Sequence, residues 1–321
     1  MPGPIVIVPY DPRWPEWFGK ENVLVRAALG QSMLGIEHIG STSVPGLGGK
    51  PTVDMMAGVA GRNEADAVLP VLARIGYTDV TPEPDDPDWY YCVGKGGGTV
   101  RRFHLHLARY GSGFWHRHIV FRDFLRIHPD AAEEYLEFKK ALAERCREER
   151  MTYCTAKTGF VCWVEVQAAG VSMAQMVEPD IAAIAHTFER WHKTVRQYEE
   201  YYVQQQRRER DVLVSKLGGA VVGYVTLLSV SGYPPFREQG IPEVADLNVI
   251  EEHQRKGIGS ALVHAAERLA RARGCTALGI GVEQSPAYAA ANRLYPRLGF
   301  EPDGRGITAH DSELHLLKPL H

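Results

Sequence analysis

Two short stretches of this 321-residue chain carry residue types whose spacing suits chemistry. One is Gln254-Arg255-Lys256-Gly257-Ile258-Gly259-Ser260, set between a β-rich run and an amphipathic run. Gly257 and Gly259 let the main chain approach a ligand closely, and the first amides of a helix carry partial positive charge. Such a turn is an anion site, and a pyrophosphate is the anion it fits best. Downstream, Asn292 and Tyr295 stand three apart and share one helix face.

The other stretch is Gly40, Ser41, Ser43, Lys50 and Asp54, with Arg102, His104 and His106 later in the chain. The hydroxyls and cations suit a phosphorylated ligand. His104 and His106 alternate along a strand and so share a face. Two imidazoles beside one carboxylate would favour Zn²⁺ or Mn²⁺ over Mg²⁺. The reading adopted is a pocket without metal, its histidines hydrogen-bonded.

The elements that must position these residues follow from hydrophobic spacing. Helices are expected over 14–29, 65–75 and 130–151, and strands over 5–9, 52–59 and 103–107. The pattern then changes. A helix over 179–208 precedes strands over 211–217 and 221–230, and Gly218-Gly219 between them signals a hairpin. A strand over 243–249, a helix over 259–273, a strand over 276–282, a helix over 286–298 and a strand over 313–317 complete the series. This order predicts two α/β (α+β) domains, 1–171 and 172–321, the second a mixed sheet with flanking helices. A short linker lies within 168–180.

Composition narrows the partners. Thirty-six basic residues face 39 acidic ones, a formal charge of −3, which argues against a nucleic-acid-binding surface. No apolar run is long enough to span a bilayer. The first residues lack the basic flank and apolar core of a secretory leader. The five cysteines include no CxxC pair, consistent with reduced thiols and a cytoplasmic location. Oligomeric state is not legible.

The Gln254–Gly259 turn together with the Asn-x-x-Tyr-x-x-x-Gly-Phe helix ending at Phe300 resembles the GNAT superfamily of acyl-CoA-dependent acyltransferases, over roughly residues 175–321. The resemblance implies acetyl-CoA as cosubstrate. Gln254, Arg255, Lys256, Gly257, Ile258, Gly259 and Ser260 would hold its pyrophosphate. The main chain of Leu247, Asn248 and Val249 would pair with the pantetheine arm, and Asn292 would hydrogen-bond it. Tyr295 would be the general acid that reprotonates the departing thiolate. Glu243 and Asp246 are candidate bases; three apart on a regular strand they face opposite sides, so at most one reaches the cleft. His253, beside the phosphate turn, is a third. The acceptor is a primary amine of a small molecule or peptide, lined by residues 179–208 and the loop 231–242.

The run from Glu37 to Ala60, with Phe103-His-Leu-His-Leu and 121–130, resembles the GrpB-like family over about residues 5–168. That resemblance implies a nucleotidyltransferase fold in which a Gly-Ser turn grips phosphates and strand carboxylates hold Mg²⁺. The carboxylate such chemistry wants two residues after Asp54 is Met56 instead. A binding or auxiliary role is therefore expected. The alternatives are nucleotidyl modification of a small molecule, or a non-catalytic module presenting a substrate or partner.

Overall fold

A computed structural model describes residues 4–82, 89–96, 102–191, 193–307 and 312–320. The chain forms two compact mixed α/β units, Met1–Arg150 and Met151–His321.

The N-terminal unit contains α1 (Trp14–Leu29), β1 (Gly35–Ile39), β2 (Val53–Val59), α2 (Arg62–Arg74), β3 (Tyr77–Pro82), β4 (Tyr90–Lys95), β5 (Phe103–Arg109), α3 (Gly113–Ile127) and α4 (Pro129–Arg145). Its sheet runs β1-β2-β5-β4-β3. Only β2 and β5 are parallel among the described pairs. Alternation along β2 divides its residues. Val53, Met55, Ala57 and Val59 join the main core with Trp14, Val25 and Leu72. Met56 packs on the other side with Phe114 and Trp115.

Residues 5–9, expected as a strand, contribute a single bridge from Val8 to Gly49. The long helix expected over 130–151 stops after Arg145. Arg147, Glu148 and Glu149 are all exposed and offer no apolar position to continue its stripe.

The second unit contains α5 (Arg150–Ala156), α6 (Thr158–Ala168), β6 (Val171–Gln175), α7 (Asp180–Thr187), α8 (Val195–Gln206), β7 (Arg210–Leu217), β8 (Ala220–Leu228), α9 (Pro234–Glu238), β9 (Glu243–Val249), α10 (Ile258–Ala272), β10 (Ala277–Glu283), α11 (Ala289–Arg297), β11 (Glu301–Pro302) and β12 (Glu313–Pro319). The sheet runs β11-β12-β10-β9-β8-β7-β6. β9 and β10 are parallel, joined through α10, and the other pairs are antiparallel.

The two faces are distinct. A Cβ on Gly223 would meet Leu262 of α10, whereas neighbouring Tyr224 packs with Phe188, Tyr198 and Tyr201 on the α7/α8 side. The single helix expected over 179–208 is two, broken between Thr187 and Val195. β6, expected as linker, is the edge strand paired with β7.

The division at 150/151 falls before the expected border at 171/172 because α6 packs on α10. Gly159 lies against His264, and the Arg268 guanidinium sits 4.7 Å over the Trp163 ring. No described helix is long and apolar enough to cross a membrane.

Candidate functional site

The site of the second unit begins with a ladder that stops. β9 and β10 pair only at Gly279–Glu243 and Ile280–Val244. β9 nevertheless continues to Val249 and β10 to Glu283. Beyond Val244 the strands part, and among the described residues the cleft-side main chain of β9 pairs with no strand.

The cause is a bulge. Thr226 opposes Ala245 and Tyr224 opposes Asn248, so β9 holds one extra residue there. Asp246 takes up the excess with φ of 49°. The bulge also reverses the alternation. Glu243 opposes Leu228, on the same face as Thr226 and Tyr224, and Asp246 meets Tyr201 of α8 on that face. The expectation that the two carboxylates face opposite sides is thus corrected.

Their roles differ nonetheless. Asp246 is held by an ion pair with Lys193 and by the Tyr201 hydroxyl. Glu243 is buried, accepts a 2.6 Å hydrogen bond from Ser231 Oγ, and lies at the mouth of the parting strands.

At the end of β9 a short turn over Glu251–His253 leads into the glycine turn. Gln254 folds its side chain back to Val249 O at 3.0 Å. Arg255 has φ of 59°, and Gly257 caps α10 in the left-handed region with φ of 86°. The first α10 bond runs from Ala261 N–H to Gly257 O. The amides of Ile258, Gly259 and Ser260 precede it and have no intrahelical acceptor. Val166 and Cys162 of α6 back the turn, 3.4 and 3.6 Å from where a Gly257 Cβ would lie. The three amides and the left-handed glycine suit a bound phosphate group.

Tyr295 lies buried on α11, edge-on to Phe300. Burial, with the Glu313 carboxylate nearby, pushes its phenol above the ordinary tyrosine value. It therefore stays protonated, as a donor must. Asn292 is otherwise engaged. Its Nδ2 donates to Glu283 O and Tyr288 O, and its Oδ1 accepts from Gln284. It buckles the β10–α11 connection.

Residues the spacing did not single out complete the face. Glu313 and His315 on β12 oppose Glu283 and Gly281 of β10. His315 stacks on Tyr233 at 3.6 Å, and the Tyr233 hydroxyl donates to Asp303. Alternate acidic and imidazole positions on the last strand, opposite Gly281-x-Glu283, were the available signal. Among the described residues, Glu243, Glu313 and His315 bring ligand atoms within 4.8 Å of one another; Asp54, His104 and His106 form no such group.

The N-terminal pocket is built on register. β2 and β5 pair Asp54 with His104 and Met56 with His106. Gly40, with φ of 66°, brings its turn against Asp54, since a Cβ there would meet Asp54 Oδ2 at 2.8 Å. Burial opposes the Asp54 charge. The His104 hydrogen bond at 3.2 Å, with His106 and Lys50 nearby, overcomes it and holds the carboxyl at about 2. Burial lowers His106 to about 4 despite Asp54. Among the described residues, His104 Nε2 and His106 Nδ1 are buried without a hydrogen-bond partner.

Most other predicted groups brace the loop. Ser43 Oγ donates to Gly40 O, and Ser41 Oγ accepts from Lys139 Nζ at 2.7 Å. Arg102 stacks over Trp17. Arg122, Arg126 and Lys139, not among the predicted site residues, hold His38 O, Ser43 O and Gly48 O respectively. His116 and His118 belong to α3, where His118 packs on Phe114 and His106.

Against known proteins, the family model described as GrpB protein matches residues 4–166, and that of the Acetyltransferase (GNAT) family matches 180–300. A UPF0157 protein of Halalkalibacterium halodurans is 36% identical over 49% of this chain and 78% of its own. The crystal structure of a conserved GrpB protein from Enterococcus faecalis is 29% identical, covers 51% of this chain and 96% of its own, and has a TM-score of 0.45. An N-acetyltransferase structure from Staphylococcus aureus Mu50 is 21% identical, covers 47% and 99%, and has a TM-score of 0.39.

Proposed function

Since the chain belongs to the GrpB protein family and carries a GNAT acetyltransferase domain behind it, we propose that it transfers the acetyl group of acetyl-CoA to a primary amine. The observation that carries this reading is the parting of β9 and β10 beside the free amides of α10. Ile258, Gly259 and Ser260 would receive the pyrophosphate through their N–H groups. The open edge at Leu247, Asn248 and Val249 would take the pantetheine amides as an added strand does.

Glu243, at the mouth of the parting, takes a proton from the incoming ammonium. The neutral nitrogen attacks the thioester carbon; the C–N bond forms, the C–S bond breaks, and the nitrogen sheds its second proton. Tyr295 supplies a proton to the departing thiolate and is reprotonated from solvent. One ammonium and one thioester thus give an amide, a thiol and one net proton. Asp246, neutralised by Lys193 and Tyr201, holds the bulge in place.

Calorimetric titration of the intact chain with acetyl-CoA tests the first step, and absence of binding overturns the reading. Tyr295→Phe should bind acetyl-CoA normally and release thiol about 100-fold more slowly in an amine-dependent assay. An unchanged rate removes the tyrosine from the chemistry.

The N-terminal unit serves as a binding module in this reading. Met56 is fully buried in the sheet, so the strand face of Asp54 carries one carboxylate where nucleotidyl transfer through paired metal ions wants two.

A further inference from the structure

We infer that the acceptor is an alkylammonium without a neighbouring carboxylate or phosphate, and that Glu313 and His315 select it. This rests on the acetyl-transfer reading and adds the class of substrate and the residues that choose it.

The inference starts from three side chains on one sheet face. Glu243 opposes Gly279, and Gly281 opposes His315. All lie on the α7/α8 side, opposite α10. A Cβ on Gly281 would run into Glu313 Oε2, so the Glu313 carboxylate reaches across β10 only because that position is glycine. Phe236 occupies the equivalent space at Gly279. The pair of glycines thus brings a carboxylate and an aromatic wall to the point where β9 and β10 part. Glu243 reaches the same point from β9, and the three ligand atoms of Glu243, Glu313 and His315 lie within 4.8 Å of one another.

The second observation is His315. Its side chain is 3% exposed, with Nε2 3.9 Å from Glu313 Oε2 and, among the described residues, no hydrogen-bond partner for Nδ1. Its ring is fixed face to face on Tyr233, interplanar angle 7°, while Tyr233 is tied to Asp303 at 2.9 Å. A held imidazole facing two carboxylates makes a compact acceptor-rich recess. Its complement is a group with several N–H donors and a positive charge.

A primary alkylammonium, with three donors and a pKa near that of lysine, about 10, meets both requirements. It arrives charged, is held by Glu313 and oriented by His315, and surrenders its proton to Glu243. An α-amino acid or a phosphorylated amine would bring an anion against the same carboxylates. Such substrates are rejected by repulsion rather than by size.

The test uses the intact chain with acetyl-CoA and three amines: 1,4-diaminobutane, glycine and O-phosphoethanolamine. Thiol release should show kcat/KM at least tenfold higher for the diamine than for either anionic amine. Glu313→Gln should collapse that ratio toward one through a rise in KM for the diamine, leaving acetyl-CoA affinity unchanged. Glu313→Asp, which keeps the charge, should restore part of the preference, and matching melting temperatures establish that both variants fold.

Equal or better turnover of glycine or O-phosphoethanolamine overturns the inference while leaving acetyl transfer intact. Loss of acetyl-CoA binding by the unmodified chain overturns acetyl transfer itself. Micromolar binding of Zn²⁺ that Glu313→Gln abolishes, with no preference among the amines, also overturns the inference and makes the cluster a metal site.

Discussion

Each unit sets a glycine turn beside a strand carboxylate, yet the two turns use their polar groups differently. In the N-terminal unit they are spent on one another. Ser43 bonds Gly40 O, Lys139 bonds Ser41, Arg126 bonds Ser43 O, and Asp54 bonds His104. In the second unit the turn after β9 leaves three amides free, and a bulge holds the adjacent strands apart. A motif of phosphate-binding composition is therefore not by itself an open site. What decides is whether the surrounding elements reach in and satisfy it first.

The largest expected effect is loss of stability in acid, which both units share because burial also lowers His264 in the second. His38 and His106 are both lowered by burial to about 4. The unfolded chain therefore binds protons that the folded one does not as pH falls from 6.5 toward 4. Stability is fully present above 6.5 and is lost through that window, by about 3 kcal/mol per histidine. Melting followed from pH 7 to 4 should show the N-terminal unit weakening, and His106→Gln should flatten part of that slope. An unflattened slope would assign the weakening to other groups.

Next in size is Gly257→Glu. It places a side chain at φ of 86° against Val166 and Cys162 and a negative charge on the anion turn. Acetyl-CoA affinity should fall about 100-fold by calorimetry. Gly46→Glu, in the N-terminal unit with nothing within 4 Å of its Cβ, should leave that affinity alone.

Asp54→Asn should cost about 1–2 kcal/mol of stability through the lost His104 pair, with acetyl transfer unchanged. Slowed transfer would make the N-terminal pocket part of the reaction. The smallest effect is expected from Asn292→Ala, about 1 kcal/mol in stability from the hydrogen bonds to Glu283 O and Tyr288 O. A tenfold loss of acetyl-CoA affinity in that variant would instead return Asn292 to the cofactor arm.

Much of the second unit was legible because its signals are local. Gly257 must stand where φ is positive, and the α10 stripe and the Gly218-Gly219 hairpin are readable within a dozen residues. The N-terminal unit was harder. β1, β3, β4 and α3 were missed and α4 was drawn too long; for the strands, pairing between distant segments leaves little local trace. Met56 and the His104–His106 alternation were read correctly onto one face, since strand periodicity alone fixes it. The bracing role of Arg122, Arg126 and Lys139 was not legible, because helix positions become loop braces only after packing.

The sequence by itself determined the order of the main elements from β7 to β12, the glycine turn ahead of α10 and the missing second carboxylate at Met56. These depend on backbone conformation and residue chemistry over short spans. Only the tertiary structure decided which carboxylate is paired with a cation. One extra residue at Asp246 turned Glu243 and Asp246 to the same face, and Lys193 and Tyr201 then claimed one of them. Tertiary structure likewise brought Glu313 and His315, seventy residues along the chain, to within reach of Glu243. Strand parity is a local rule, but a bulge and the neighbours that hold it are set by contacts across the whole sheet.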